Sequence, residues 1–276
     1  HRKCSSMTAL DIIIVSFNAA NHLDRCLLSL HAHPPSGPHE VIVVDNASND
    51  NNVVSVHEKW PKVRILPLLE NVGFAEGCNI GFAHTKAPLV LLLNPDTVVP
   101  EGALDRLVDA LMSDDECAVA GPRLVDGAGS VELSWGPMLG PFNQIQQKIF
   151  TWLYGHGFPP VTSLIRNRAN RVHFPDWVSG ACLLVRRVDA EAVGFIDKRF
   201  FMYIEDVDFC AAIRSRQRRI LFTPASEVQH IRGQSAATAP KATALAYRRS
   251  QLAFYGKHHP FWAPILRSYL RFCRRI

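Results

Sequence analysis

No apolar run in these 276 residues approaches the roughly 18–20 that cross a bilayer as a helix. The strongest, Pro88-Leu-Val-Leu-Leu-Leu93, is short and reads as a buried strand. A secretory leader is not in evidence either: His1 to Met7 is polar and Asp11 soon follows. The cysteines never form a C-x-x-C pair, and their number, seven, is odd. Both facts argue against a disulfide framework or a zinc knuckle and for a reducing cytoplasm, with most thiols acting as small core residues. Internal repeats and low-complexity linkers are lacking, which favours one domain with a C-terminal extension. From Lys241 onward there is no Asp or Glu, while eight Lys and Arg lie there. With eight of the 30 basic residues in that stretch, the 25 acidic residues outnumber the bases of everything before it. The excess positive charge is therefore a property of the tail, not of a generally basic protein.

What is present matches a folded, soluble domain, 47% hydrophobic and 20% charged. Apolar runs at Leu10–Val15, Glu40–Val44, Val63–Leu66, Leu89–Leu93 and Ala118–Ala120 read as strands. Between them lie helical stretches. Leu23, Leu27, Leu28 and Leu30 mark one near Asn21–His31, and Pro100-Glu101 suits the start of another. Near-continuous apolar strands alternating with helices predict a mostly parallel, Rossmann-like α/β sheet covered on both faces. Further on, Phe142, Ile145, Ile149 and Leu153 form an apolar stripe opposite Gln144, Gln147 and Lys148. A loop around Gly155–Pro160 follows, then a strand over Val178–Val185, a helix over Glu205–Arg218 and a basic helical region beyond Pro240.

Open α/β sheets bind ligands beyond the carboxyl ends of their strands. Three strands end there in polar clusters: Ser16-Phe-Asn18, Asp45-Asn-Ala-Ser48 and Asn94-Pro-Asp-Thr97. Any one such cluster reads as turn chemistry; three on one edge read as a binding crevice. Gly73, Gly77 and Gly81 recur every fourth residue. Gly77 and Gly81 suit close packing of a helix on the sheet, while Gly73, at the helix start, lets backbone N–H groups approach a phosphate or nucleotide. Their spacing is not G-x-G-x-x-G, which weakens a dinucleotide-dependent oxidoreductase. Glu205-Asp206-Val-Asp208 follows the apolar Phe200-Phe-Met-Tyr-Ile204. Acids in a first helical turn complement the macrodipole; carboxylates delivered into an enclosed place also make a general base. The spacing leaves both readings open.

In sequence order, these motifs resemble those of glycosyltransferase family 2, of the GT-A fold, and within it the bacterial rhamnosyltransferase-like branch. The resemblance rests on Val15-Ser-Phe-Asn18, Val43-Val-Asp-Asn-Ala-Ser48, Asn71-Val-Gly-Phe-Ala-Glu-Gly-Cys-Asn79, Leu92-Leu-Asn-Pro-Asp-Thr97, Trp177-Val-Ser-Gly-Ala-Cys-Leu-Leu184, Gly194-Phe-Ile-Asp197 and Phe200-Phe-Met-Tyr-Ile-Glu-Asp-Val-Asp-Phe209. It spans roughly residues 10 to 235 and implies a catalytic domain over 8–238 with an extension over 239–276. It implies that Asp45 hydrogen-bonds a pyrimidine base, with Ser16, Asn18, Asn46, Asn71, Gly73 and Asn79 around the nucleotide. Asp96 stands at the last position of the family's D-x-D element, which binds Mg²⁺ or Mn²⁺ on the donor diphosphate; the first position is Asn94, one acid short. His230 resembles an additional metal ligand, though a lone histidine is commonly structural. Asp206 matches the catalytic base, with Glu205 beside it. Asn94, Trp177, Gly180 and Ala181 would shape the sugar and acceptor pocket, where Trp177 also suits plain core packing.

The implied reaction is inverting transfer of a deoxyhexose, from dTDP-L-rhamnose, to a lipid-linked saccharide of cell-envelope synthesis. The alternatives are a UDP-galactose or UDP-N-acetylglucosamine donor, or a non-catalytic nucleotide- or glycan-binding module. A nucleotidyltransferase is disfavoured because Val15–Leu23 has no glycine-rich basic loop. In the tail, Phe261, Trp262, Ile265, Leu266, Tyr269, Leu270 and Cys273 oppose Arg267, Arg271, Arg274 and Arg275. That pattern suits a helix lying on an anionic membrane, at the inner face of a bacterial cell membrane, or a helix packed on the domain. A dimer contact would use the same face, and the oligomeric state is open; nothing else points to nucleic acid.

Overall fold

A computed structural model describes residues 8–50, 52–231 and 240–273. Met7, Arg274, Arg275, the boundary at 238/239 and the motif beyond Ile231 lie outside the described residues. The first half alternates as its apolar runs require: β1 (Leu10–Ser16), α1 (Ala20–Ala32), β2 (His39–Asp45), α2 (Asn52–Lys59), β3 (Arg64–Pro67), α3 (Phe74–Ala83), β4 (Leu89–Leu93), β5 (Thr97–Val98), α4 (Ala103–Met112) and β6 (Cys117–Val125). Next come β7 (Trp135–Gly136), α5 (Pro141–Gly155), α6 (Pro159–Ala169), β8 (Trp177–Val178), β9 (Cys182–Arg186), α7 (Arg187–Ala192), α8 (Glu205–Ser215), β10 (Arg219–His230), α9 (Pro240–His258) and α10 (Ala263–Phe272).

Eight strands form one sheet in the order β3-β2-β1-β4-β9-β6-β10-β5, and β7 and β8 form a separate small one. Strand β1 is parallel to β2 and β4, β2 to β3, and β6 to β10. Strand β9 runs antiparallel between β4 and β6, and β5 antiparallel to β10. The sheet is covered on both faces, which explains its uninterrupted apolar strands. Ile12 and Ile14 face the layer holding Leu23 and Leu27 of α1 and Leu104 and Leu107 of α4. Ile13 faces the opposite layer with Phe82 of α3 and Phe209 and Ile213 of α8. Gly77 and Gly81 seat α3 on β1: an added Cβ would stand 2.8 Å from Val15 Cγ1 and 2.5 Å from Ile13 Cγ2. Cys26, Cys78, Cys117, Cys182 and Cys210 are all buried and unbridged, and burial pushes the Cys26 and Cys210 thiols up to about 12.

Three local expectations shift. The apolar run Val178–Val185 is two strands in two sheets, β8 and β9, because the chain turns between them. There the Gly180 N–H is drawn to Asp206 and the Ala181 carbonyl accepts from the Asn94 N–H. Helix α4 begins at Ala103 rather than Pro100, after Gly102 takes a left-handed φ of 66°. In helix α5, Phe142, Ile145 and Ile149 of the predicted stripe turn outward with Trp152, while Leu153 is half-buried and Gln144 is the buried residue.

Candidate active site

The carboxyl edge of the sheet starts with Ser16 and Asp45, register partners at the ends of β1 and β2. Both are buried, and the Asn46 N–H donates to the Ser16 carbonyl at 2.8 Å. Oδ1 of Asp45 is buried without a hydrogen-bond partner among the described residues. A carboxylate oxygen desolvated in that way lacks the donor that would stabilise it. Asn18, at φ 50°, ties two loops: its N–H donates to Ser48 Oγ (3.0 Å) and its Oδ1 accepts from the Asn49 N–H (2.8 Å). Asn46 clamps the next loop, donating to the Gly73 carbonyl (3.1 Å) and accepting from the Val72 N–H (2.9 Å). Asn71 Oδ1 accepts from the Gly73 N–H at 3.0 Å. Asn79 instead braces a distant turn: its amide donates to the Ile196 carbonyl (2.8 Å) and accepts from the Ile196 N–H (3.1 Å).

Gly73 has φ 88°, and an added Cβ would lie 2.4 Å from the Phe201 carbonyl oxygen, which accepts the Phe74 N–H at 2.7 Å. This close approach joins the α3 entrance to the turn before α8. Gly73→Ala should destabilise the protein by roughly 2–5 kcal/mol, through backbone strain plus overpacking. Urea denaturation checks it; an unchanged midpoint would show that the two loops are not coupled.

Asp96 and His230 are far apart in sequence and brought together by strand pairing. Thr97 of β5 is the register partner of His230 of β10, and the Ile231 N–H donates to the Asp96 carbonyl at 2.8 Å. His230 Nε2 lies 3.3 Å from Asp96 Oδ1, and Nδ1 lies 3.0 Å from Glu132 Oε2. Burial alone would lower the His230 pKa, but hydrogen bonds to and the charges of Asp96 and Glu132 hold it at about 9. The two carboxylates thus favour a cation between them. Among the described residues no cage of three or more metal-binding side chains gathers. A carboxylate facing an imidazole nitrogen, with a second carboxylate behind the ring, suits a divalent ion that displaces the proton on Nε2 and takes its other ligands from a diphosphate. Asn94 adjoins this pair through its backbone, donating N–H to the Ala181 carbonyl at 2.9 Å.

The base candidate sits across the same edge. Tyr203 and Ile204 both have left-handed φ, 70° and 69°, an unfavourable pair that starts α8 with Glu205 and Asp206. The Gly180 N–H donates to Asp206 Oδ2 and the Val207 N–H to Oδ1, each at 2.8 Å. A Cβ on Gly180 would stand 3.3 Å from that of Asp206. Burial raises the Asp206 pKa, against the lowering effect of these N–H groups. Glu205 rises much further, first through burial and then through the Asp206 charge; its Oε2 has no hydrogen-bond partner among the described residues. Both carboxyls are thus pushed toward the protonated form, and only Asp206 has backbone N–H groups that stabilise its charge against that push. The Tyr203 phenol is raised first by burial and also by Glu205 and Asp96, so Tyr203 lies within electrostatic reach of both acidic clusters. Trp177 is half-buried against the core, and its Nε1–H donates to the Pro137 carbonyl at 3.0 Å.

Sequence reasoning missed Glu132 and the part played by α9. Ser250 Oγ donates to the Met202 carbonyl (2.8 Å), and the Tyr203 and Tyr247 rings meet at 6.1 Å. Lys257 Nζ donates to Asp208 (2.7 Å) and Asp197 (2.9 Å), and His258 Nε2 lies 2.6 Å from Asp208. The tail helix thus holds the strained turn that carries the base candidate. The signal available was the tail's lack of acids, which leaves its cations to find partners elsewhere.

The sequence model of glycosyl transferase family 2 matches residues 11–174. The N-acetylglucosaminyl-diphospho-decaprenol L-rhamnosyltransferase of Mycobacterium tuberculosis is 29% identical, over 92% of this chain and 86% of that protein. Among solved structures, the mannosyltransferase PcManGT of Pyrobaculum calidifontis, in complex with GDP-Man and Mn²⁺, has a TM-score of 0.61 at 17% identity, over 94% of this chain and 68% of that one. GalNAc-T7 with UDP, GalNAc and Mn²⁺ also has 0.61, at 16% identity, over 82% of this chain and 43% of that longer one. At such identity the likeness is one of fold, the GT-A arrangement.

Proposed function

The chain belongs to glycosyl transferase family 2, and from that premise we propose that it moves L-rhamnose from dTDP-L-rhamnose to a hydroxyl of a lipid-linked saccharide in cell-envelope synthesis, with inversion. The carrying observation is the Asp206–Glu205 pair, a buried carboxyl held by two backbone N–H groups beside a second buried carboxyl whose Oε2 has no partner among the described residues. The rhamnosyl donor and lipid-linked acceptor are supported by the likeness to the mycobacterial rhamnosyltransferase. The catalytic unit is residues 8–238. The basic extension, 239–276, makes a peripheral contact with anionic lipid on the cytoplasmic face of the membrane through its last helix. No described helix is long and apolar enough to cross a membrane.

In this reading Asp45 accepts the imide N–H of the pyrimidine, which supplies its Oδ1 with a donor. Asn18, Asn46 and Asn71 keep the loops around it in place, and Ser16 lies at the floor. Asp96 and His230 hold Mg²⁺ or Mn²⁺, with Glu132 orienting the imidazole. When bound, the ion neutralises charge on the departing nucleoside diphosphate. Asp206 accepts the proton of the acceptor hydroxyl as its oxygen bonds to the anomeric carbon. The bond from that carbon to phosphate breaks on the opposite side, and its electron pair leaves with the nucleotide. Gly180 and Ala181 line the approach, and any side chain at Gly180 would crowd Asp206. A UDP-sugar donor is the second reading, because uracil offers Asp45 the same imide N–H as thymine.

Thermal stabilisation separates the donors. A ligand at a hundred times its Kd adds about 2.7 kcal/mol to a fold that alone binds it. The expected result is a Mn²⁺-dependent shift with dTDP-L-rhamnose larger than with any UDP-sugar. A larger shift with a UDP-sugar would replace the donor, and no shift with either would favour a binding module for another ligand.

A further inference from the structure

Helix α5 is amphipathic in the reverse sense. Its buried residue is polar: Gln144 Oε1 accepts from Gln251 Nε2 (2.8 Å) and the Tyr255 hydroxyl (2.9 Å), both on α9. Its apolar stripe, Phe142, Ile145, Ile149 and Trp152, faces outward with 53–76% of each residue exposed. Spacings of three and four place these residues on one side of the helix. The final helix has two apolar faces. Leu266 and Leu270 turn inward, while Ile265, Tyr269 and Phe272, continued by Phe261 before the helix, are 50–91% exposed.

The two stripes join. The Phe142 and Trp262 rings meet edge to face with centroids 5.9 Å apart, and His259 Nε2 lies 2.8 Å from the Leu139 carbonyl oxygen. Helices more than a hundred residues apart in the sequence therefore start from one point and present one apolar surface. Monomeric proteins rarely expose a patch of this kind unless something covers it. Charge indicates what does. Residues 133–175 and 228–276 contain no Asp or Glu, so all 25 acids lie outside the two segments. Arg267 and Arg271 on α10 are exposed beside the stripes. A second copy docked face to face would set these cations against one another with no acid to pair them. An anionic bilayer takes both features, with aromatic rings at headgroup depth and cations at the phosphates.

We propose that α5 and α10 together form one docking face for an anionic lipid bilayer. This deepens the membrane contact inferred above for the last helix and rests on that reading. It adds that the contact is composite and that α5 is an equal part of it. The face also communicates with the site through hydrogen bonds: Gln144 fixes α9, and Ser250 of α9 fixes the Met202 carbonyl beside the base.

The test is co-sedimentation of the full chain with phosphatidylcholine vesicles, with and without phosphatidylglycerol. Ile149→Glu and Ile265→Glu are compared with wild type; both sites are exposed, so unliganded thermal midpoints should match. Each variant is expected to lower partition onto the anionic vesicles by about tenfold or more, and neutral vesicles should bind wild type at least about tenfold more weakly. Loss with Ile265→Glu alone would overturn the composite face and leave the tail contact standing. Wild-type partition by both variants would remove both. A wild-type dimer in lipid-free sedimentation, split by Ile149→Glu, would assign the face to a second copy instead. Nucleotide-sugar stabilisation of the same variants reports separately on the transferase reading, which no vesicle result alters.

Discussion

Replacing Asp206 with Asn lowers the rate of sugar transfer by about 10²–10⁴-fold, the usual contribution of a positioned general base, while donor binding stays at the wild-type level. Asparagine keeps the size and still accepts the Gly180 N–H through its carbonyl oxygen but gives up the bond from the Val207 N–H, so the unliganded thermal midpoint is measured alongside to check the turn. It cannot take a proton from the acceptor hydroxyl. Stopped transfer with retained donor-induced stabilisation identifies an interaction needed for chemistry rather than for binding. The same residue sets a pH dependence. Burial raises the Asp206 pKa, and the base works only when ionised. The acid limb of kcat/KM should therefore lie above the ordinary carboxylate range and disappear in the variant's residual activity. Stability moves the opposite way. Glu205 and Asp206 both have folded pKa values above their unfolded ones, so their contribution is complete below the unfolded values. It is lost as pH rises through the folded ones. Unliganded wild type should lose stability over that window, and Asp206→Asn should lose less. An identical pH–stability profile in the two proteins would contradict the assignment.

Asp96→Ala should reduce transfer by about 10²–10³-fold, corresponding to the several kcal/mol that a metal supplies at a leaving diphosphate. The Mn²⁺-dependent part of the donor stabilisation should vanish with it. A readout without donor or metal is available as well. His230 is held at about 9 by Asp96 and Glu132 against the effect of burial, so removing Asp96 should lower the titration midpoint of this imidazole, as followed by NMR. Glu132→Gln tests the support behind the ring and should weaken metal affinity about 10–100-fold. Full activity and Mn²⁺ response in Asp96→Ala would place the metal elsewhere.

The parts of this site that could be read in advance are those that follow an apolar run. Ser16 and Asp45 are the last residues of β1 and β2, Asn94 directly follows β4, and Asp206 comes just after Phe200–Ile204. Their position at one edge is a consequence of parallel strands. The antiparallel insertion of β9 was not readable, because the break at Ser179-Gly180 within Val178–Val185 takes its direction from the Gly180 bond to Asp206, 26 residues away. Periodicity marked α5 as two-sided but could not say which side is inside. That is decided by Gln144 partners 107 and 111 residues further along. Glu132 sits in an unremarkable Val-Glu-Leu and acquires its role only when β10 carries His230 to it. Trp177 could be read as pocket or core, and its indole bond to Pro137 gives it a definite structural anchor.

The most direct test is turnover itself. The purified chain is incubated with dTDP-L-rhamnose, Mn²⁺ and a polyprenyl-diphosphate-linked N-acetylglucosamine, and nucleotide release and acceptor mass are followed together. The expected result is stoichiometric release of dTDP with addition of one deoxyhexose of inverted anomeric configuration, absent in Asp206→Asn. Failure to release nucleoside diphosphate from this or any UDP-sugar, with lipid-linked or free saccharide acceptors, would contradict the assignment of this crevice to glycosyl transfer.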